Sequence, residues 1–379
     1  MKIALFSRNS PITTGGVERF IGELRNALLA RGHCCDVITG IDIGCGVDAS
    51  VTAVARRMAL FWNKIKNTYD IALFNGEYGY RVKGERIVNV FHGTSRGQVM
   101  ATLAGSHLLG AVASFLIPGS MQWIAGLKHT RVAVSESARR DLRKWYWLSG
   151  AHVIQNGIDV VRFSSGEQKV ARESLGLPIH GRIYLYSSRI EKGKCPEFLH
   201  VWATNLGVNE HLVVASNIKV NLPKSVTSFQ NVSRDRMPFL YQAADAFLMP
   251  SHYEGCSYAL IEAMSCSCLI VASPVGHAPD IIRSKPVLND CFESRYDAVA
   301  FLTRARRLLD NPQLAENLRA NARQYVLENN TLETMGAQYE AVFERIIRAI
   351  PVSCSDARYA DKKRGDSLIV KNHSDIRQR

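Results

Sequence analysis

Short, uninterrupted apolar runs alternate with segments of helical periodicity along most of this chain, and few folds accept that order. KIALFS is an apolar run that predicts a strand. In the next segment, GVERFIGELRNALLARG, apolar residues fall at Val17, Phe20, Ile21, Leu24, Leu28 and Leu29, one face of a helix that Gly32 ends. CDVITG predicts a strand, VTAVARRMALFWNKIKN an amphipathic helix, and YDIALFNG, RIVNVFHG and TRVAVS three more strands. Ser135 or Ser137 caps the helix ARRDLRKWY, and AHVIQNGID runs from a strand into an Asn-Gly turn. Strands without polar alternation are buried on both faces, and strands separated by helices pair in parallel. The expected fold class is α/β, a doubly wound parallel sheet.

The second half repeats this order. GRIYLYSSR, EHLVVASN, SVTSFQNV, DAFLMPS and CLIVAS read as strands, and CPEFLHVWATN, DRMPFLYQAA and CSYALIEAMSC as helices. A long helical region follows, from about Tyr296 to Ile350. At 379 residues the chain is long for one core. Two Rossmann-like domains are therefore expected, 1–160 and 167–334, joined near Gly157 to Gly166. After Pro351 the sequence turns polar and basic, which predicts a disordered tail over 351–379.

Lys and Arg number 47 against 34 Asp and Glu, a formal charge of +13. That excess favours anionic partners: phosphorylated ligands, an acidic membrane surface or nucleic acid. The nine cysteines are irregularly spaced, with no C-x-x-C pair, and read as reduced thiols of a cytosolic protein rather than a zinc or disulfide framework. MKIALFSRNS carries too short an apolar run for a secretory signal and suits a core strand better. No acidic or basic residue occurs between Arg96 and Lys128. Within that stretch VMATLAGSHLLGAVASFLIPG is about long enough to cross a bilayer. Its serines, glycines and His107 dilute it and Pro118 is expected to end it, so a buried or interfacial helix is expected.

In doubly wound folds ligands sit at the carboxyl ends of strands, against helix N-termini. Four such junctions carry unusual residues. Gly15 and Gly16 open the helix after the first strand, where free N–H groups meet an anion, although the dinucleotide fingerprint G-x-G-x-x-G is absent. His92 ends the apolar strand of VFHG. Arg189 and Lys194 flank the loop SRIEKGK, where two cations can clamp a diphosphate and grip harder as charge builds on a leaving group. Glu254 and Gly255 follow the strand DAFLMPS, the next helix is expected to start near Cys256 or Ser257, and Glu262 lies a turn and a half into it. A carboxylate suits paired sugar hydroxyls.

These segments together resemble the family 4 glycosyltransferases of the GT-B fold, retaining enzymes that use nucleotide sugars. GGVERFIGELRNALLARGH resembles the N-terminal Gly-Gly loop and helix, VSESARRDL and VIQNGIDVVRF the approach to the interdomain linker. SSRIEKGK resembles the diphosphate-binding loop, and PSHYEGCSYALIEAMSCSCLIVASPVGHAPDII the C-terminal signature. The resemblance implies two Rossmann-like domains facing across a cleft. The N-terminal one would bind the acceptor and the C-terminal one the nucleotide sugar, with a final helix (about 335–350) crossing back. It implies that Arg189 and Lys194 bind the donor diphosphate and that Glu254 holds the transferred sugar. Backbone from Gly255 through Cys256 and Ser257 to Tyr258 adds donors, Glu262 binds the ribose, and Gly16 and His92 face the donor. Three positions depart from the family pattern: Gln155 stands where proline is usual, Cys256-Ser257 replace an aromatic–glycine pair, and His277 stands where glycine is common. No Asp-x-Asp occurs, so no metal and no further cofactor are expected beside the UDP-, GDP- or ADP-linked donor.

ARRMALFWNKIK and ARRDLRKWYW mix basic with aromatic residues, which suits an anionic membrane surface. With the charge-free segment they point to a glycan or lipid-linked, lipopolysaccharide-type acceptor of cell-envelope polysaccharide synthesis. The protein would be cytoplasmic and peripheral on the inner face of the membrane. Each helix alone also reads as a solvated surface with its aromatics turned inward. The alternatives are a nucleotide-sugar-binding relative without transfer (epimerase-like, or an inactive partner subunit) and a basic nucleic-acid-binding protein. No nucleic-acid motif is present, and nucleic acid is not an expected partner.

Overall fold

A computed structural model describes residues 1–11, 15–46, 48–102, 108–223 and 226–349. The expected tail after Pro351 lies outside the described residues. The two rounds of alternation become two parallel sheets. The first contains β1 (Lys2–Phe6), β2 (Cys34–Ile38), β3 (Ile71–Asn75), β4 (Ile87–Phe91), β5 (Thr130–Ala133) and β6 (His152–Val153), in the order β2-β1-β3-β4-β5-β6. The second contains β7 (Arg182–Ser187), β8 (Glu210–Ser216), β9 (Val226–Gln230), β10 (Ala246–Met249) and β11 (Leu269–Ala272), in the order β11-β10-β7-β8-β9. Both sheets are parallel throughout. In the first, the strand order reverses between β1 and β3; in the second, between β7 and β10. A crevice forms at each reversal, because the following helices leave on opposite faces.

The first sheet is flanked by α1 (Gly16–Ala30), α2 (Val51–Ile65), α3 (Ser95–Thr102), α4 (Leu108–Lys128) and α5 (Glu136–Tyr146). Helix α1 buries Phe20, Ile21, Leu24 and Leu28, the face its periodicity marked. In α2, Trp62 is buried and its indole donates to the Lys83 carbonyl at 3.2 Å, so this aromatic serves the core and not a surface. Ser135 caps α5 by accepting from Ala138 N at 3.1 Å.

Pro118 does not end a helix. It lies inside α4, which continues to Lys128. A proline removes one hydrogen bond, to the carbonyl four residues back. That residue is Ser114, on the exposed side, where water can serve the carbonyl. No helix among the described residues is long and apolar enough to cross a membrane.

The second sheet carries α6 (Gln168–Leu175), α7 (Phe198–Thr204), α8 (Met237–Ala243), α9 (Tyr258–Ser265), α10 (Ala278–Ser284), α11 (Ala298–Leu309) and α12 (Pro312–Asn329). Helix α13 (Leu332–Ala349) then lies against α1, where Glu340 accepts from Arg31 Nε at 2.8 Å and pairs with His33 at 2.7 Å. The chain crosses between the sheets twice, and the crossings hold each other: Ile158 N donates to the Asn330 carbonyl at 2.8 Å. Gln155 Oε1 accepts from Tyr325 OH at 3.0 Å and from Asn330 Nδ2 at 3.1 Å. A proline there could make neither bond.

Candidate functional site

Both crevices open into one cleft of about 1310 Å³. That exceeds the usual volume of a single small-molecule pocket, roughly 300–1,000 Å³, and leaves space for two substrates. Arg8, Asn75 and Glu77 line it from the ends of β1 and β3, and Ser188, Arg189 and Glu254 from beyond the ends of β7 and β10. All eleven residues expected at a site, Gly15, Gly16, His92, Arg189, Lys194, Glu254, Gly255, Cys256, Ser257, Tyr258 and Glu262, line this cleft.

Two of these residues pair directly. Lys194 Nζ donates to Glu254 Oε1 at 2.5 Å, and Ser251 Oγ donates to the same oxygen at 2.8 Å. Glu254 Oε2 takes no part in these bonds. Arg189 is half exposed at the rim and pairs with Glu191 at 2.9 Å. The Lys194 loop is held from below, where Tyr186 OH donates to the Lys194 carbonyl at 3.0 Å.

Glu262 is shared between the domains. Tyr241 OH donates to its Oε2 at 2.9 Å, and the Arg19 guanidinium of α1 pairs with its Oε1. Arg19 lies 4.1 Å from the Tyr258 ring centroid and 3.8 Å from Glu23, which in turn pairs with Arg234. Burial is the largest influence and opposes the Arg19 charge, yet Glu262, Tyr258 and Glu23 together outweigh it and hold the guanidinium above its ordinary range. Nothing in the local sequence flagged Arg19, because its partner is more than two hundred residues away.

His92 sits on the N-terminal wall. Its Nε2 is 3.0 Å from Asn75 Oδ1, and the Asn75 amide donates to the Phe6 carbonyl at 2.8 Å. Oδ1 is therefore the acceptor, Nε2 carries the proton, and Nδ1 keeps a lone pair. Burial pushes the imidazole down to about 4, so it is neutral near pH 7. Beside it stands Glu77, a cleft residue that sequence reasoning missed although it follows the strand of YDIALFNG. Burial raises its carboxyl, and Gln122 Nε2 donates to it at 3.0 Å.

The glycine of HYEG has a specific reason. A Cβ on Gly255 would lie 2.0 Å from the His92 carbonyl oxygen. The two domains touch here, and only a residue without a side chain fits. Next to it Tyr253 straps the domains together: its OH accepts from Thr94 N at 2.8 Å and donates to Asp141 at 2.8 Å. Gly16 differs, since nothing lies within 4 Å of a Cβ built there.

Helix α9 starts at Tyr258, one or two residues later than expected, because Ser257 is its cap and accepts from Leu260 N at 3.4 Å. One helix N–H is thereby engaged by the chain itself. The Cys256 carbonyl accepts from Asn156 Nδ2 at 2.8 Å, so Cys256 is tied to the interdomain crossing. His277 is fully buried and not among the residues lining the cleft. Burial pushes it down to about 4, with Glu254 opposing. Cys195, Glu197 and His252 each bring one ligand atom within 4.8 Å of one another, but none lines the cleft, so this group offers no ligand to a molecule bound there.

Residues 168–325 match the sequence model of the family described as glycosyl transferases group 1. A D-inositol 3-phosphate glycosyltransferase of Mycolicibacterium gilvum (strain PYR-GCK) is 31% identical over 147 residues, 35% of this chain and 33% of that protein. The match thus spans about a third of the length of that curated relative. Among solved structures, sucrose-phosphate synthase from Thermosynechococcus elongatus superposes with a TM-score of 0.75 at 19% identity, covering 92% of this chain and 100% of its own. HepE of Anabaena, solved in complex with UDP and glucose, gives 0.67 at 14% identity over 91% and 99%. At such identities the likeness is one of fold. Residues 168–325 thus carry a sequence pattern similar to that of the group 1 glycosyl transferases, and the two parallel sheets facing across a cleft make the GT-B fold.

Proposed function

We propose that this protein moves a sugar from a nucleotide-diphosphate donor to a hydroxyl of a glycan or lipid-linked, lipopolysaccharide-type acceptor, with retention at the anomeric carbon and without a metal. The observation that carries this reading is the Lys194–Glu254 pair in the wall of a cleft built from both domains. Lys194 and Arg189 are the donor-diphosphate cations. When the diphosphate arrives, Lys194 exchanges one anion for another, and Glu254 is released to accept hydroxyls of the transferred sugar. The C1–O bond to the diphosphate breaks as the bond to the acceptor oxygen forms. The acceptor proton passes to the departing phosphate oxygen on the same face, so no side-chain base is needed. The two cations stabilise the charge on the leaving group. Glu262 takes the ribose hydroxyls, and the nucleotide competes there with Arg19. A relative solved with UDP and glucose supports a nucleotide-sugar donor. His92 faces the donor from the N-terminal wall, the same wall with Glu77 and Gln122 receives the acceptor, and the protein works at the cytoplasmic face of a membrane.

Thermal unfolding in the presence of UDP-, GDP- and ADP-sugars tests the donor. A ligand that binds only the folded state raises the melting temperature, so one nucleotide class should do so and the others should not. Arg189→Ala should then reduce transfer by a factor equivalent to about 2–4 kcal/mol, as the loss of an oxyanion donor does. No shift with any donor, or full transfer by Arg189→Ala, would remove the assignment.

A further inference from the structure

Helix α4 is anchored on one side and bare on the other. Met121 and Ala125 are buried. Gln122 ties the helix to the cleft wall through Ser95 N at 2.9 Å and Tyr146 OH at 2.8 Å. The outer side presents Val112, Leu116, Trp123 and Leu127, spaced by four, seven and four residues, with Ile117 beside them; Leu116 and Leu127 are 55% and 56% exposed. No charged residue occurs from Leu108 to Leu127. An apolar stripe of this length on a water-facing helix marks an interaction surface.

The rim has one sign of charge. Lys128 ends α4, and Arg139, Arg140, Arg143 and Lys144 are exposed on α5. The Arg96 guanidinium links the two helices, 5.0 Å from the Phe115 ring and 5.0 Å from the Tyr146 ring, and donates to the Trp145 carbonyl at 2.9 Å. Trp147, in the left-handed conformation after α5, is 80% exposed. No acidic residue lies between Glu85 and Glu136. On α5, Glu136 is paired with Arg139 and Asp141 accepts from Tyr253 OH.

We propose that the outer face of α4 and the end of α5 dock this protein on an anionic lipid bilayer, with α4 lying in the interface and not crossing it. The chemistry is that of interfacial helices: aliphatic side chains enter the acyl boundary, tryptophans sit at headgroup level, and lysines and arginines meet lipid phosphates. A second copy of this chain is a poor occupant, because it would bring the same cations face to face. The inference rests on the membrane reading above and gives it a surface. Ser95 and Gln98 of α3 line the cleft and α3 packs on α4, so docking brings the cleft close to the bilayer that would hold a lipid-linked acceptor.

The test uses the full chain with phosphatidylcholine vesicles, with and without phosphatidylglycerol, in co-sedimentation and tryptophan emission. Wild type should pellet with the anionic vesicles, less with the neutral ones, and shift its emission to the blue. Leu116→Ser/Leu127→Ser should weaken partitioning about tenfold at every salt concentration, and Arg143→Gln/Lys144→Gln about tenfold at low salt only. Both variants alter exposed side chains, so their melting temperatures and their shifts with donor nucleotide should match wild type. That readout separates a failed docking surface from a failed transferase assignment. Wild type that ignores anionic vesicles, a serine variant that still pellets, or a concentration-dependent dimer abolished by the serine changes would each overturn the proposal.

Discussion

Glu254 and Glu262 lie eight positions apart, yet their surroundings give them different chemistry. Glu254 is bound by a lysine and a serine of its own domain, while Glu262 faces an arginine of the other domain and a buried tyrosine. The helical setting of Glu262 was legible from the apolar run around it, but its pairing with Arg19 was not. The position of Arg19 on α1 gives no sign of which residue from the other sheet will oppose it. Removing Glu254 should separate function from stability. In Glu254→Ala, turnover should fall on the order of 10²–10³-fold, since an interaction with the reacting sugar is lost. The unfolding free energy should fall by no more than about 2 kcal/mol, because Lys194 stays partly solvated. Steady-state kinetics beside urea denaturation decide this, and near-normal turnover would contradict the role.

Among the elements, strands were read most securely, because a continuous apolar run has few alternatives. Helix ends were read less well: α9 begins at Tyr258 because Ser257 caps it, and α4 runs through Pro118 because one face is open to water. The turn between β10 and α9 shows what only packing can reveal. Gly255 was expected to offer its backbone to the donor, and the structure shows it packed against the His92 carbonyl. Gly255→Ala should therefore hold the domains apart. Its cost should be about 1–3 kcal/mol of stability, as for an overpacked core, with a diminished melting-temperature shift on donor binding. An alanine variant that binds donor as wild type does would show that the domains need not meet there.

For the whole molecule, three histidines shielded from water set an acid limit. His92, His129 and His277 are each pushed by burial down to about 4 from an ordinary value of 6.5. Between those values the unfolded chain takes up protons that the folded chain refuses, so stability falls as pH drops from about 6.5 towards 4, by up to roughly 3 kcal/mol per histidine. Glu210 and Glu293, with arginine partners, are held at about 2, and their contribution is lost only below about 4.5. Urea midpoints should therefore already decline between pH 7 and pH 5, and His277→Asn should flatten part of that decline; a midpoint constant over the range would refute it. The sequence by itself determined that this chain builds two parallel sheets and that a basic loop and two glutamates stand near strand ends, because burial of continuous strands and helix periodicity are local properties. Only the tertiary structure decided that Arg19, Tyr253 and Gln155 hold the two halves together, that His277 sits behind the cleft, and that the bare side of α4 faces outward. Those are contacts between residues far apart in the chain, set by how the two sheets meet, and no local pattern encodes them.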